Sequence, residues 1–270
     1  MPREPRITSH ESPFASAQGK RITDVRSALR DAIALLERES VPSAALAAEL
    51  LLMHTLGRDR AWIYAHPEQE LDRETHERYF LLIAKRASGV PTQYLTGHQE
   101  FWGLDFEVTP DVLIPRPETE HVIEVALERL GITADADSTS HHAELRITDV
   151  GAGSGCIAVA LAHELPQAHV IATDIFAAAL AVARRNAAHH GVAARIEFVE
   201  CNLLDPLLHE SRTTGHPSSA FGRLGASQSW PFDLIASNPP YIGRWEAPTL
   251  PREVREHEPE SALFGGETGT

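Results

Sequence analysis

The sequence predicts an α/β fold, a parallel sheet with interleaved helices preceded by a small helical bundle. Three observations carry this. Apolar residues recur at helical spacing from Ile22 to about Ser88, and from Leu145 onward short apolar runs alternate with helical segments, as a parallel sheet requires. The first of those runs enters a glycine-rich turn, Asp149-Val-Gly151-Ala152-Gly153-Ser154-Gly155, that opens a helix.

Residues 1–20 are polar, lack an apolar signal core and read as a disordered leader. Residues 21–89 form the predicted bundle. Thr23 is the expected N-cap of a helix bearing Val25, Leu29, Ala32, Ile33 and Leu36 on one stripe. A second helix spans Ala44 to Leu56 and stops at Gly57, and a short third runs from Asp59 to His66. Asp72 opens a fourth with Phe80, Ile83, Ala84 and Ala87 on one face and Gly89 as its stop. Residues 90–116 form a linker with a hairpin, its strands around Gln99–Phe101 and Leu104–Val108 and its turn at Trp102-Gly103. Pro117 starts a helix with Glu118 and Glu120 in its first turn, where the dipole favours acids. It runs to Leu130 and stops at Gly131, ahead of a polar loop at 134–143.

The βα alternation follows. Strands are expected at Leu145–Val150, His169–Thr173, Arg195–Val199 and Phe232–Ser237, with helices at Cys156–Leu165 and Ala177–His190. A Gly/Ser/Thr-rich flexible insertion is expected near 209–230.

Composition narrows the function. With 43% hydrophobic and 23% charged residues the 270-residue chain reads as an ordinary globular protein. Two cysteines, Cys156 and Cys201, are too few for a disulfide framework, and the expected compartment is the cytoplasm. No apolar run approaches the roughly 18 residues of a membrane span. A net charge of −14 argues against stable binding to nucleic acid, whose affinity rests on phosphate neutralisation. Fifteen histidines raise a metal site, but the pairs His141-His142 and His189-His190 are adjacent and point apart, so no metal is expected.

Two stretches carry the chemistry. The turn has G-x-G-x-G spacing, with Cys156 where a dinucleotide fingerprint wants glycine. Its glycines would let backbone N–H groups approach a ligand at a helix start. Asp149 is placed to meet a ligand ammonium, and Asp174, ending the second strand, to take two ribose hydroxyls or to cap the following helix. The second stretch is Asn238-Pro239-Pro240-Tyr241, directly after the fourth strand. Asn-Pro-Pro is an efficient strand terminator. It also leaves a backbone of acceptors only, beside the Asn238 side-chain oxygen and the flat Tyr241 ring. That set could grip both protons of a planar –NH2 group and turn its lone pair to an electrophile.

The glycine turn, Asp174 and the tetrad together are similar to a Rossmann-like class I S-adenosylmethionine methyltransferase. PTQYLTGHQEFWGLDFEVTPDVLIPRPETE, the preceding bundle and EPESALFGGETG after the tetrad resemble the peptide chain release factor glutamine methyltransferase (HemK/PrmC) family. That resemblance implies S-adenosylmethionine as cofactor, bacterial release factors as partners, and methylation of the glutamine amide in their Gly-Gly-Gln loop. It assigns Asn238, Pro239, Pro240 and Tyr241 to catalysis and the bundle to release-factor binding. Gly151, Ala152, Gly153, Ser154, Gly155, Asp174, Asn202 and Asn238 would line the cofactor site, with Leu203 where family members often carry an aromatic. It also implies that the methyltransferase domain, 117–270, is truncated, leaving the Phe232, Leu234, Ile235 strand as an open edge. Two competing functions stand beside it: an N6-adenine DNA methyltransferase, and a catalytically impaired module that binds release factors.

Overall fold

The computed structural model describes residues 23–132, 145–205 and 232–269; the leader, the polar loop with its His141-His142 pair, and the insertion near 209–230 lie outside them. The chain divides into two compact units, one ending at Ile83 and one beginning at Ala84. The residues of the expected bundle past Ile83 lie in the second unit. Arg86 pairs with Glu253 and donates to the Val90 carbonyl, and Gly89 lies against Arg252 and His257.

In the first unit, α1 (Val25–Arg38), α2 (Ala44–Leu56), α3 (Arg60–Ala65) and the start of α4 (Arg73–Ala87) form the bundle. Asp24, not Thr23, caps α1, accepting from the Ser27 N–H at 2.7 Å. Thr23 pairs instead across β1 (Thr23–Asp24) with Leu71 of β2 (Glu70–Leu71). The buried face of α4 also differs from expectation: Tyr79 and Ile83 are buried and Ala84 is exposed. Tyr79 can be buried because its hydroxyl donates to the Ala48 carbonyl at 3.0 Å. Leu29 and Ile33 on α1 are only half-buried.

The second unit opens with α5 (Thr92–Thr96) and the predicted hairpin, β3 (His98–Phe101) paired with β4 (Leu104–Glu107). Trp102 and Gly103 make the turn, both at positive φ. The Tyr94 hydroxyl donates to the Val112 carbonyl at 2.6 Å, fastening the loop that leads into the site. A 3₁₀ turn, Pro117–Thr119, precedes α6 (Glu120–Arg129).

The sheet is parallel, in the order β7 (Ile196–Glu200), β6 (His169–Asp174), β5 (Arg146–Val150), β8 (Leu234–Ser237). α7 (Cys156–Glu164) is buried from Cys156 through Ala162, while α8 (Ala177–His189) exposes one face. Asn186 of α8 joins three segments. Its Oδ1 accepts from the Glu107 N–H at 2.8 Å, and its Nδ2 donates to the carbonyls of Glu107 and Ser154 at 3.0 and 2.9 Å. A buried amide with every bond made fixes hairpin, turn and helix relative to one another.

β8 is an edge strand among the described residues, with Ile235 48% exposed. The open apolar row is shorter than expected, because Phe232 is buried against Ile171. β5 lies between β6 on one side and β8 on the other, so the carboxyl ends at Val150, Asp174 and Ser237 share one rim. A crevice at such a rim is where open α/β sheets bind ligands.

Candidate active site

A cleft of about 270 Å³ opens at that rim, lined by Gly151, Ala152, Gly153, Ser154, Asp174, Asn202, Leu203, Asn238, Pro239 and Pro240 of the expected residues. Asp149, Gly155 and Tyr241 do not line it.

The turn differs in detail from the expectation that its N–H groups face a ligand. The N–H groups of Gly151 and Ala152 both donate to the Thr173 carbonyl at 2.9 Å, and that of Gly153 donates to Asp174 Oδ2 at 2.9 Å. What the turn presents is bare Cα surface: a Cβ on Gly151 or Gly153 would meet nothing within 4 Å. Gly155 has another reason to be glycine. Its Cβ would lie 2.9 Å from Ala183 Cβ on α8, so it serves helix packing.

Asp174 does not cap α8; Phe176 is the N-cap. The Asp174 Oδ1 accepts from the Phe176 N–H at 3.0 Å and its Oδ2 from Gly153, leaving lone pairs on both oxygens for further donors. Asp149 is fully buried beneath α7, where Oδ2 accepts from the Ala158 N–H at 3.0 Å, so a direct meeting with a ligand ammonium is replaced by a role in seating the helix. Its Oδ1 and the Thr173 Oγ1 are buried without partners. The Thr173 Oγ1 and the free lone pairs of Asp174, which line the cleft where the turn's N–H groups are already committed, suit a ligand carrying hydroxyls and positive charge. They do not suit a phosphate. Cys156 lines the cleft as an apolar group, burial pushing its thiol up to about 12.

A second cavity of about 290 Å³ also borders Asn238. Thr119, Asn238 and Pro239 line both cavities, and Tyr241, 62% exposed, lines the second. Asn238 Nδ2 donates to Thr119 Oγ1 at 3.1 Å, and Ser237 Oγ donates to the Val150 carbonyl at 2.7 Å, locking the end of β8 to β5. The block after the tetrad folds back on this wall. Ile242 pairs with Phe264, and Glu258, 5% exposed, takes the Arg116 guanidinium and the Ile114 N–H. Burial pushes the Glu258 carboxyl up while Arg116 pulls it down.

Residues 27–97 match the PrmC N-terminal domain and residues 141–238 a methyltransferase domain. The release factor glutamine methyltransferase of Koribacter versatilis is 44% identical over 245 residues, 91% of this chain and 77% of that protein. Those of Chlorobaculum tepidum and Nitratidesulfovibrio vulgaris are 43% and 41% identical, over 90% and 89% of this chain and 76% and 72% of theirs. The chain belongs to the release factor glutamine methyltransferase family. Among solved structures, the hMettl16 catalytic domain in complex with an RNA hairpin has a TM-score of 0.41 at 17% identity, covering 69% of this chain and 58% of that one, a likeness too distant to speak for function.

As a member of this methyltransferase family the chain is an enzyme, and its candidate site includes groups to which the sequence reading assigned no role: Thr119, Ser237, Thr173 and the Arg116–Glu258 pair. Thr119 lies inside a helix-start pattern, and nothing in its spacing points to residue 238. Among the described residues, no three His, Cys, Asp or Glu side chains are grouped to hold a metal ion, and no helix is long and apolar enough to cross a membrane.

Asp149 also gives this methyltransferase a testable pH response. Burial raises its carboxyl from an ordinary 3.8 to about 7. Between those values the folded chain keeps a proton that the unfolded chain has released, so this group's contribution falls as pH rises and levels off above the window. Asp149→Asn cannot ionise, and its urea midpoint is expected to gain on the parent's steadily from pH 4 to 7. A gap between the two that is independent of pH would mean the carboxyl is solvated.

Proposed function

We propose that the chain transfers a methyl group from S-adenosylmethionine to the side-chain amide nitrogen of the glutamine in the Gly-Gly-Gln motif of bacterial translation release factors. The observation that carries this reading is the shared lining: Asn238 and Pro239 border both of two cavities, one also lined by Asp174 and Thr173 and the other by Tyr241. The names of the relatives favour a glutamine amide over the amine of a DNA base.

The donor's sulfonium, when bound, supplies an electrophilic methyl group. Asp174 would take hydroxyls of its ribose, and Asn202 and Leu203 would border its adenine. A carboxamide nitrogen is a poor nucleophile because its lone pair is delocalised into the carbonyl. Asn238 Oδ1 and the Pro239 carbonyl would each accept one N–H, fix the nitrogen and align its lone pair with the methyl group. Tyr241 would support the planar amide from the second cavity. As the N–C bond forms the methyl–sulfur bond would break, its electron pair leaving with sulfur as a neutral thioether; the nitrogen would gain positive charge, which these two acceptors stabilise, and then shed one proton to solvent. The helical bundle, within the PrmC N-terminal domain match, would hold the release factor body.

The test is to mix the chain with S-adenosylmethionine and an unmethylated release factor, with adenine-containing DNA in parallel, and map added methyl by mass spectrometry. A gain of one methyl on the glutamine of the Gly-Gly-Gln peptide is expected. Methyl on DNA alone would replace this reading with an adenine methyltransferase. Tight binding of release factor without transfer would leave a binding module.

A further inference from the structure

We propose that Thr119 is a positioning residue for methyl transfer, its hydroxyl orienting the Asn238 amide so that Oδ1 faces the substrate nitrogen. This deepens the reading above and rests on it. Thr119 is 7% exposed at the junction of the 3₁₀ turn and α6, far in sequence from the tetrad, and its Oγ1 accepts from Asn238 Nδ2 at 3.1 Å. An amide with one N–H engaged must turn its oxygen the other way. Both residues line both cavities, so that oxygen is placed at the boundary where the reacting nitrogen has to sit.

Thr119 is itself held firmly. Its N–H donates to the Arg116 carbonyl at 3.0 Å, and Arg116 is paired with the buried Glu258. Three separate stretches of sequence, around Thr119, Asn238 and Glu258, therefore act as one support. Without the hydroxyl, the Asn238 side chain would keep its place in the chain but lose the bond that selects its rotamer and its flip. The reacting geometry would then be sampled only part of the time.

The test is a cycle of Thr119→Val, Thr119→Ser, Asn238→Ala and the double variant, assayed on release factor with saturating S-adenosylmethionine. Thr119→Val is expected to lower kcat roughly tenfold, about the worth of one hydrogen bond, with the KM for cofactor unchanged. Thr119→Ser should restore most of the rate. In the Asn238→Ala background the Val substitution should change nothing further, which a residue acting only through general stability would not show. Equal rates for parent and Thr119→Val, or an undiminished loss in the Asn238→Ala background, would overturn the proposal. A second measurement stands apart from turnover: the Asn238 side-chain NH2 resonances, assigned by their absence in Asn238→Ala. Their protection from solvent exchange should fall in Thr119→Val, and no change would overturn the proposal. If the parent itself leaves release factors unmethylated, the functional reading fails, and the resonance experiment still decides whether Thr119 orients Asn238.

Discussion

Asn238→Ala is expected to lower the rate of methyl transfer by about 10²–10³-fold, the loss typical when one preorganised polar group is removed from a developing charge. Affinity for the cofactor should stay within about threefold of the parent's. The separation of the two effects follows from where the residue stands. Asn238 is one of the residues bordering the cofactor cleft, whereas the acceptors there, Asp174 and Thr173, belong to β6 and are held by other bonds. On the proposed reading its oxygen would act on the amide nitrogen only as charge builds, so truncation should cost rate and spare ground-state binding. Single-turnover kinetics beside equilibrium binding would resolve the two quantities. A variant as fast as the parent would remove Asn238 from the chemistry.

Gly155→Ala is expected to cost about 2–4 kcal/mol of stability, combining left-handed backbone strain with overpacking. Gly155 sits at φ 79°, and an added Cβ would come within 2.9 Å of Ala183 Cβ and 3.2 Å of Ala183 Cα. Ala183 is fully buried on α8, so neither atom can retreat. For a unit of this size the melting temperature should drop by about 5–15 °C. Adding Ala183→Gly should recover the overpacking part and leave the backbone part. Gly151→Ala is the informative control: it has similar strain, φ 76°, but open space around the new Cβ, so it should melt closer to the parent. A Gly155→Ala melt within a degree or two of the parent would show that α7 and α8 yield at this contact.

Much of the fold is legible in the sequence because local residues govern it. The glycine turn, the strand runs and the helix stops at Gly57, Gly131 and Gly191 depend on φ preference and period, which a short window contains. Where expectation and structure part, the cause is a competition between partners. Asp24 displaces Thr23 as the cap of α1 because a carboxylate accepts readily from a helix-start N–H. Tyr79 joins the core against its polar tip because its hydroxyl finds the Ala48 carbonyl, 31 positions away.

The sequence by itself determined the class of fold, the succession of its strands and helices along the chain, the tetrad at the end of β8 and the family. Those are properties of runs and motifs, each readable within a few residues. Only the tertiary structure decided what the motif residues do. It committed the N–H groups of the glycine turn to Thr173 and Asp174, sent Asp149 beneath α7, gave Gly155 to packing and brought Thr119 to Asn238. The reason is physical. A polar group's role is set by which partner reaches it first within about 3 Å, and in a folded chain that partner can lie roughly a hundred positions away.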